Sequence, residues 1–436
     1  MKCFSIEKRV PMADDRGSSR EGVQQVVNAI NRFSFELYAE LNRTEKDNIF
    51  CSPYSITSAF ALIYEGAKEN TAKELKSVFH FPGTKILRPN FAAIYNATNR
   101  ISKEYDIKTG NVLWIQQDYP LLPDYKNRIR KYYGGKAVNM DFMGDAEKSR
   151  QIINASIKKT TNNKIRDIIP HGAIDEMTKS IITNAIYFKG NWKWEFKKSN
   201  TCDEDFKISE SKKVKTEMMK MYPAEARFMY ADLEKIQLLE LPYKGNNISM
   251  LIILPNQGEK KYIDGKMDGK TLVIPHNQLK DYRDGGTGNP VVSNYILDDI
   301  ELTDQKLAEY KSYMRETELE KIWLPKFKFD TAYFLSETLK KMGIREAFNP
   351  AADLTRMAGT NDLQIGPTIH KAFIQVDEQG TEAAAATAMI QPIISGIPKI
   401  RPKLPTFKAD HPFLFLIQDL KTGTILFIGK VMDPTQ

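Results

Sequence analysis

The sequence predicts a single α+β domain, and three observations carry that prediction. Apolar residues recur at helical spacing near the N-terminus, apolar runs of strand length joined by turn residues fill the second half, and no internal repeat divides the chain. Its 436 residues exceed the usual domain size of roughly 100–200. The stretch 258–296 breaks the pattern, but it is rich in Gly, Asp, Lys and Asn with only short apolar patches. It reads as a polar surface insertion rather than a second core.

In chain order, residues 1–22 lack apolar periodicity and are expected to form a flexible tail. Val26, Ile30, Phe33, Leu37 and Leu41 make one helical stripe. In "CSPYSITSAFALI", Ser52 can cap a helix and Pro53 suits its first position. Thr71 and Glu74 have capping-box spacing. "SIITNAIYF" reads as a buried strand containing Asn184, and "KIQLLELPYKGNNISMLIILP" as a hairpin turning at Gly245, Asn246 and Asn247. Asp298 and Asp299 are expected to open a helix, where carboxylates complement the dipole. "LEKIWLPKFKFD" reads as one strand, followed by a helix that stops at Gly343. Two buried strands around Lys421, Thr422 and Gly423 end the chain.

Composition narrows the function. Hydrophobic content of 42% and charged content of 27% suit a globular protein, and no run of about 18 apolar residues exists to span a membrane. The N-terminus shows no secretory apolar core, so a cytoplasmic location is expected, and an extracellular one only if a leader precedes this start. Cys3, Cys51 and Cys202 make no disulfide framework. The sequons at Asn42, Asn96, Asn154 and Asn247 matter only in a secreted chain. A charge of +8 is modest for this length; its basic clusters read as solvated faces, with nucleic acid not expected and a polyanion such as heparin an unproven alternative.

Catalytic constellations are absent. There is no H-E-x-x-H, G-x-S-x-G or phosphate-loop signature, and the five histidines fall at no metal-ligand spacing. "GGTG" at 285–288 is a turn within the insertion. Neither metal, cofactor nor enzymatic turnover is expected.

One stretch needs its own explanation: "DEQGTEAAAATAM", residues 377–389. Alanine favours helix, so in isolation it suggests a surface helix. Its neighbours argue otherwise. "IHKAFIQV" enters as a strand, with His370, Ala372, Ile374 and Val376 on one face, which makes His370 a satisfied core histidine. Gly380 gives backbone freedom at the junction. The alanine run has no large apolar residues to dock a helix, and Pro392, Pro398, Pro402 and Pro405 enforce an extended course beyond it. Read with period two, the small side chains suit a strand that slides between two existing strands.

At these residues the chain resembles the serpins, specifically an inhibitory serpin, from about Val23 to Gln436. "NIFCSPYSITSAFALIYEGAKENTAKEL", "ITNAIYFKGNWKWEF", "LELPYKGNNISMLIILP", "HKAFIQVDEQGTEAAAATA" and "ADHPFLFLI" occur in the family's order. The resemblance implies a serpin fold over 23–436, with about nine helices around three β-sheets and an exposed reactive-centre loop within 378–405. It implies a hinge at Glu378, Gly380, Thr381, Glu382, Ala383, Ala384, Ala385, Ala386 and Thr387. It also implies a polar shutter of Ser52, Ser55, Asn184 and His370 beneath the central sheet, and a breach at the sheet's top with Trp192 and a Lys326–Glu378 ion pair.

The activity implied is suicide-substrate inhibition of a serine endopeptidase by a monomer, with a cysteine protease as an alternative target. Family spacing from Gly380 places the cut bond at Ile394–Ser395, suiting an elastase-, chymotrypsin- or subtilisin-like enzyme. The stretch before "HPF" is a few residues longer than usual, which makes Lys399–Ile400 a trypsin-type alternative. A non-inhibitory carrier or chaperone is the competing expectation.

Overall fold

A computed structural model describes residues 12–99, 104–209, 211–223, 226–257, 297–381 and 404–436, with the backbone of 261–262 and 290–291. Among the described residues, nine α-helices surround three large sheets of seven, six and four strands.

The first helix, Arg20–Thr44, is capped by Ser19, whose Oγ accepts the Gly22 N–H at 3.0 Å. Its predicted stripe is buried throughout. The flexible tail expected over residues 1–22 is corrected from residue 12 onward, residues 1–11 lying outside the described ones: Ala13 N–H donates to Asn96 Oδ1 (2.8 Å) and Asp14 N–H to Lys131 O (2.7 Å). These bonds seat the segment on the helices Thr84–Thr98 and Pro123–Tyr133. Asn96 returns its amide to Ala13 O, and Asn154 is similarly buried against Ile169, so neither sequon has an amide to spare for a glycan.

Ser52 caps Pro53–Gly66 as expected, its Oγ accepting from Ser55 N–H at 3.1 Å. The capping box at Thr71 and Glu74 is not formed. That helix, Glu69–Val78, starts three residues earlier, with Lys68 in place of Thr71 at the cap position, where Asp353 O holds the Lys68 N–H (2.9 Å). Thr71 and Glu74 instead tie the helix to a distant segment: Thr71 Oγ1 donates to Glu346 Oε1 (2.7 Å), and Glu74 Oε2 accepts the N–H groups of Arg345 and Glu346.

The predicted hairpin is the pair Ile236–Pro242 and Ile248–Pro255, turning through positive φ at Gly245 and Asn246. It lies in the seven-stranded sheet beside the C-terminal strands Phe413–Asp419 and Ile425–Val431. Asp298 and Asp299 form a 3-10 turn, not a helix start; the helix is Asp304–Ser312, and Thr303 caps it because its hydroxyl reaches Lys306 N–H (3.2 Å). The strand expected across "LEKIWLPKFKFD" is two strands in different sheets, Lys321–Pro325 and Phe327–Phe334. The first ladder runs past Pro325, opposite Met218, to the Lys326 N–H on Glu217 O (2.9 Å), and Phe327 opens the second opposite Val376. Within 258–296, Lys261–Tyr262 pairs antiparallel with Pro290–Val291.

The six-stranded sheet positions the site. Its order is Phe327–Phe334, Thr368–Asp377, Gly380–Thr381, Ser180–Asn191, Tyr105–Gln116 and Lys136–Met140. One face lies on the main core, to which Ala372, Ile374 and Val376 contribute, with His370 buried on the same side. The other is covered by the helix Ala146–Thr160, whose Ile153 and Ile157 join a second core cluster containing Ile369 and Phe373.

Candidate functional site

Two strands at the centre of this sheet run together and then part. Thr368–Asp377 pairs in parallel with Ser180–Asn191 from Thr368 opposite Ile182 to Phe373 opposite Tyr187. Above that point Gly380–Thr381 lies between them, Thr381 opposite both Val376 and Gly190, Gly380 opposite both Asp377 and Asn191. The chain thus folds back on itself and starts a new antiparallel strand inside the sheet.

Gly380 is required there. A Cβ would lie 2.1 Å from Gly190 O and 2.7 Å from Asn191 Cα, closer than any side chain tolerates. The freedom expected of this glycine is therefore a close backbone approach inside the sheet. Thr381 is fully buried, and its hydroxyl meets Tyr243 Oη at 2.7 Å.

The turn that reverses the chain is clasped by its backbone. Trp192 Nε1–H donates to Asp377 O (3.1 Å), Phe196 N–H to Glu378 O (2.8 Å) and Trp192 N–H to Gln379 O (2.8 Å). Three consecutive carbonyls are satisfied, as buried backbone demands. Trp192 in turn stacks on Tyr243 with ring centres 4.5 Å apart. The Glu378 carboxylate is buried, accepts from Thr201 Oγ1 (2.9 Å) and lies 3.6 Å from Lys326 Nζ. Lys326 is nearer to Glu217, at 3.1 Å. Burial alone would depress the Lys326 ammonium, but the bond to Glu217 and the attraction of Glu378 outweigh it and hold it above the usual lysine range. These groups line an open cleft of about 340 Å³.

Below the parting, a polar row crosses four strands, with Tyr333, His370, Asn184 and Asn111 in register. Ser52 N–H donates to His370 Nε2 (3.1 Å), so the ring proton sits on Nδ1 and goes to Asn184 Oδ1. The Asn184 amide faces Ser55 O, Ser55 Oγ and Asn111 Oδ1 at 2.7, 2.9 and 2.7 Å. Ser52 Oγ donates to Leu426 O at 2.6 Å. Burial pushes the His370 pKa down to about 3. Nothing in the row is a nucleophile paired with a base; its bonds tie the two strands to each other and to the start of the helix Pro53–Gly66.

Ser52, Ser55, Asn184 and His370 thus form one network, and Trp192, Lys326, Glu378, Gly380 and Thr381 surround one turn. Glu382 to Thr387, Ile394, Ser395, Lys399 and Ile400 lie outside the described residues. Sequence reasoning missed Asn111, Tyr243, Thr201 and Glu217. A lone polar Asn111 ahead of the apolar run "VLWI" was the available signal for the first; the others carry none.

Comparison with known proteins agrees with this architecture. A family model described as Serpin (serine protease inhibitor) matches residues 28–282 and 297–434. A serpin-like protein of Methanosarcina acetivorans is 34% identical, covering 98% of this chain and 93% of its own. The leukocyte elastase inhibitor of Homo sapiens is 34% identical over 94% of this chain and all of its own length. Human thyroxine-binding globulin, solved in complex with its ligand, superposes with a TM-score of 0.77 at 24% identity, over 95% of this chain and 100% of its own, and so shares the fold. The chain belongs to the serpin family, whose relatives include a protein named for protease inhibition.

Proposed function

We propose that this serpin is a single-use inhibitor of a serine endopeptidase. The carrying observation is the parted sheet with Gly380–Thr381 already between its strands. In the proposed mechanism the protease nucleophile attacks the Ile394 carbonyl and expels the Ser395 amine, leaving an acyl-enzyme. The released loop then enters the sheet as a full strand and carries the protease with it before water deacylates the ester.

The observed register supports a path for that strand. Continued residue for residue, it would set Ala383 between Ile374 and Phe188, Ala385 between Ala372 and Ile186, and Thr387 between His370 and Asn184. Small side chains fit such positions without repacking a core. The entering strand would have to break the His370–Asn184 bond, which makes the polar row the latch on the reaction. Ladder bonds at about 0.5–1.5 kcal/mol per residue nearly cancel ordering at about 1–2 kcal/mol. The drive must therefore sit in the uncut sheet.

The aliphatic Ile394 favours an elastase-, chymotrypsin- or subtilisin-like target. Incubation with such an enzyme should give a complex that survives denaturing electrophoresis, and mass spectrometry of the released peptide should begin at Ser395. A peptide beginning at Ile400 would move the bond to Lys399. Rapid loop cleavage with no complex and no rise in melting temperature would overturn the proposal and favour a carrier or chaperone.

A further inference from the structure

Between the four-stranded and seven-stranded sheets the chain turns a corner at Asp410 and His411. The strand Thr406–Lys408 ends on one side of it, and Phe413–Asp419 begins on the other. We propose that His411 is a pH-sensitive pin: doubly protonated, it fastens Thr406–Lys408 to the body, and loss of one ring proton loosens that strand.

The partners of the ring set its charge. His411 is buried, and both of its nitrogens face acceptors: Nε2 lies 2.8 Å from Pro255 O and Nδ1 2.9 Å from Asp410 Oδ1. A backbone carbonyl only accepts, and an ionised carboxylate does the same. Asp410 is ionised. Burial by itself would raise its carboxyl, but the bonds from His411 and Lys408 outweigh burial and hold it below the usual carboxylate range. Both contacts are therefore hydrogen bonds only while the ring carries two protons. A neutral imidazole would leave one lone pair facing an oxygen in a buried place, where an unmade bond is costly. His370 makes the contrast: it faces one donor and one acceptor, which fits a neutral ring.

The surrounding charges do not replace that proton. Lys408 Nζ bonds the other Asp410 oxygen, Oδ2 (2.9 Å), and lies 4.6 Å from the centre of the Trp323 ring. Lys220, 4.3 Å from the same ring centre, is paired with Glu204 at 2.6 Å. Lys207 ends the adjacent strand Cys202–Lys207 and turns its Nζ to Gln257 Oε1 (3.3 Å). Ile253 and Leu254 on Ile248–Pro255, and Phe413 and Leu414 beyond the corner, are apolar. Of the residue types at this corner, histidine alone changes charge between about pH 5 and 8.

What the pin holds is a lightly attached strand. Thr406–Lys408 lies at the edge of its sheet and makes three ladder pairs, all with Lys321–Pro325. Around them, Glu320 N–H donates to Pro405 O, Ala409 N–H to Trp323 O (3.0 Å) and Lys207 N–H to Asp410 O (2.8 Å). The strand follows directly on the stretch expected to carry the reactive loop, so it is where that stretch rejoins the body. The two bonds of His411 tie its C-terminal end to Pro255 in the other sheet.

The test needs no protease, so its outcome is independent of the inhibitory reading. Hydrogen exchange on the uncut protein gives protection factors for the Ala409 and Lys207 amides at about pH 5.5 and about pH 8.5, with amides of Ile425–Val431 as the core reference. Corner protection should fall at least tenfold more than core protection between the two conditions. His411→Gln has no ring proton to lose and should show weak corner protection at both. His80→Gln, which removes a histidine paired with Glu36 on the first helix, should respond as the parent does. In the nitrogen-labelled parent, the His411 ring should show two N–H groups at the lower pH and one at the higher. Corner protection that tracks the core, the same pH response in His411→Gln, or a single ring N–H at the lower pH overturns the proposal.

Discussion

The hydroxyls of Tyr243 and Thr381 lie 2.7 Å apart in a fully buried setting, joining the hairpin end of the seven-stranded sheet to the short strand Gly380–Thr381 inside the six-stranded one. Tyr243→Phe would leave the threonine hydroxyl without that partner, at a cost of about 1–3 kcal/mol. The melting temperature of the uncut protein should fall by roughly 1–3 °C. An unchanged melting curve would show that this contact does not hold the hinge.

Gly380→Ala tests the close approach to Gly190. The added methyl cannot occupy a position 2.1 Å from a carbonyl oxygen, so the two inserted pairs should be lost. Amide hydrogen exchange at Thr381, and at Trp192 whose N–H goes to Gln379 O, should accelerate at least tenfold; protection equal to that of the parent would show that Gly380 does not hold this turn.

Thr381→Arg should convert an inhibitor into a substrate, because a charge would have to enter a fully buried position at the start of the inserting strand. The measured quantity is the ratio of covalent complex to cleaved serpin. Undiminished trapping would reject the insertion path.

His370 makes stability depend on pH. Its folded pKa of about 3 lies below the unfolded value of about 6.5. As pH falls through 6.5 the unfolded chain gains a proton that the folded ring resists, so this contribution is complete above pH 6.5 and is lost progressively down to pH 3. The slope is about 1.4 kcal/mol per pH unit. His370→Gln should be less stable than the parent at pH 7.5, and the gap should narrow by about 2 kcal/mol at pH 5. A gap constant over that range would mean that the ring titrates normally.

Asn111→Ala removes one acceptor from Asn184 and from Ser55. The loss should destabilise the uncut protein by about 1–3 kcal/mol, and should speed loop insertion by loosening the latch. Denaturant unfolding together with the rate of complex formation checks both effects.

Much of the fold was legible along the chain because it is written in local periodicity. The stripe from Val26 to Leu41, the cap at Ser52, the hairpin turn at Gly245 and Asn246, and the buried face of His370 to Val376 each follow from neighbours a few residues apart. The errors share one cause. Thr71 and Glu74 have local capping spacing, yet Glu346 and Arg345 recruit them from across the fold. "LEKIWLPKFKFD" reads continuously, but its two halves serve different sheets.

The amino-acid sequence by itself determined most of the helices and strands and kept residues 383–388 small, since propensity, period and side-chain volume are properties of nearby residues. Only the tertiary structure decided where the central strands separate, that Asn111 completes the polar row, that Tyr243 receives Thr381, and that Lys326 is divided between two carboxylates. Those facts depend on the register between strands far apart in the chain, and register is fixed by how whole faces pack.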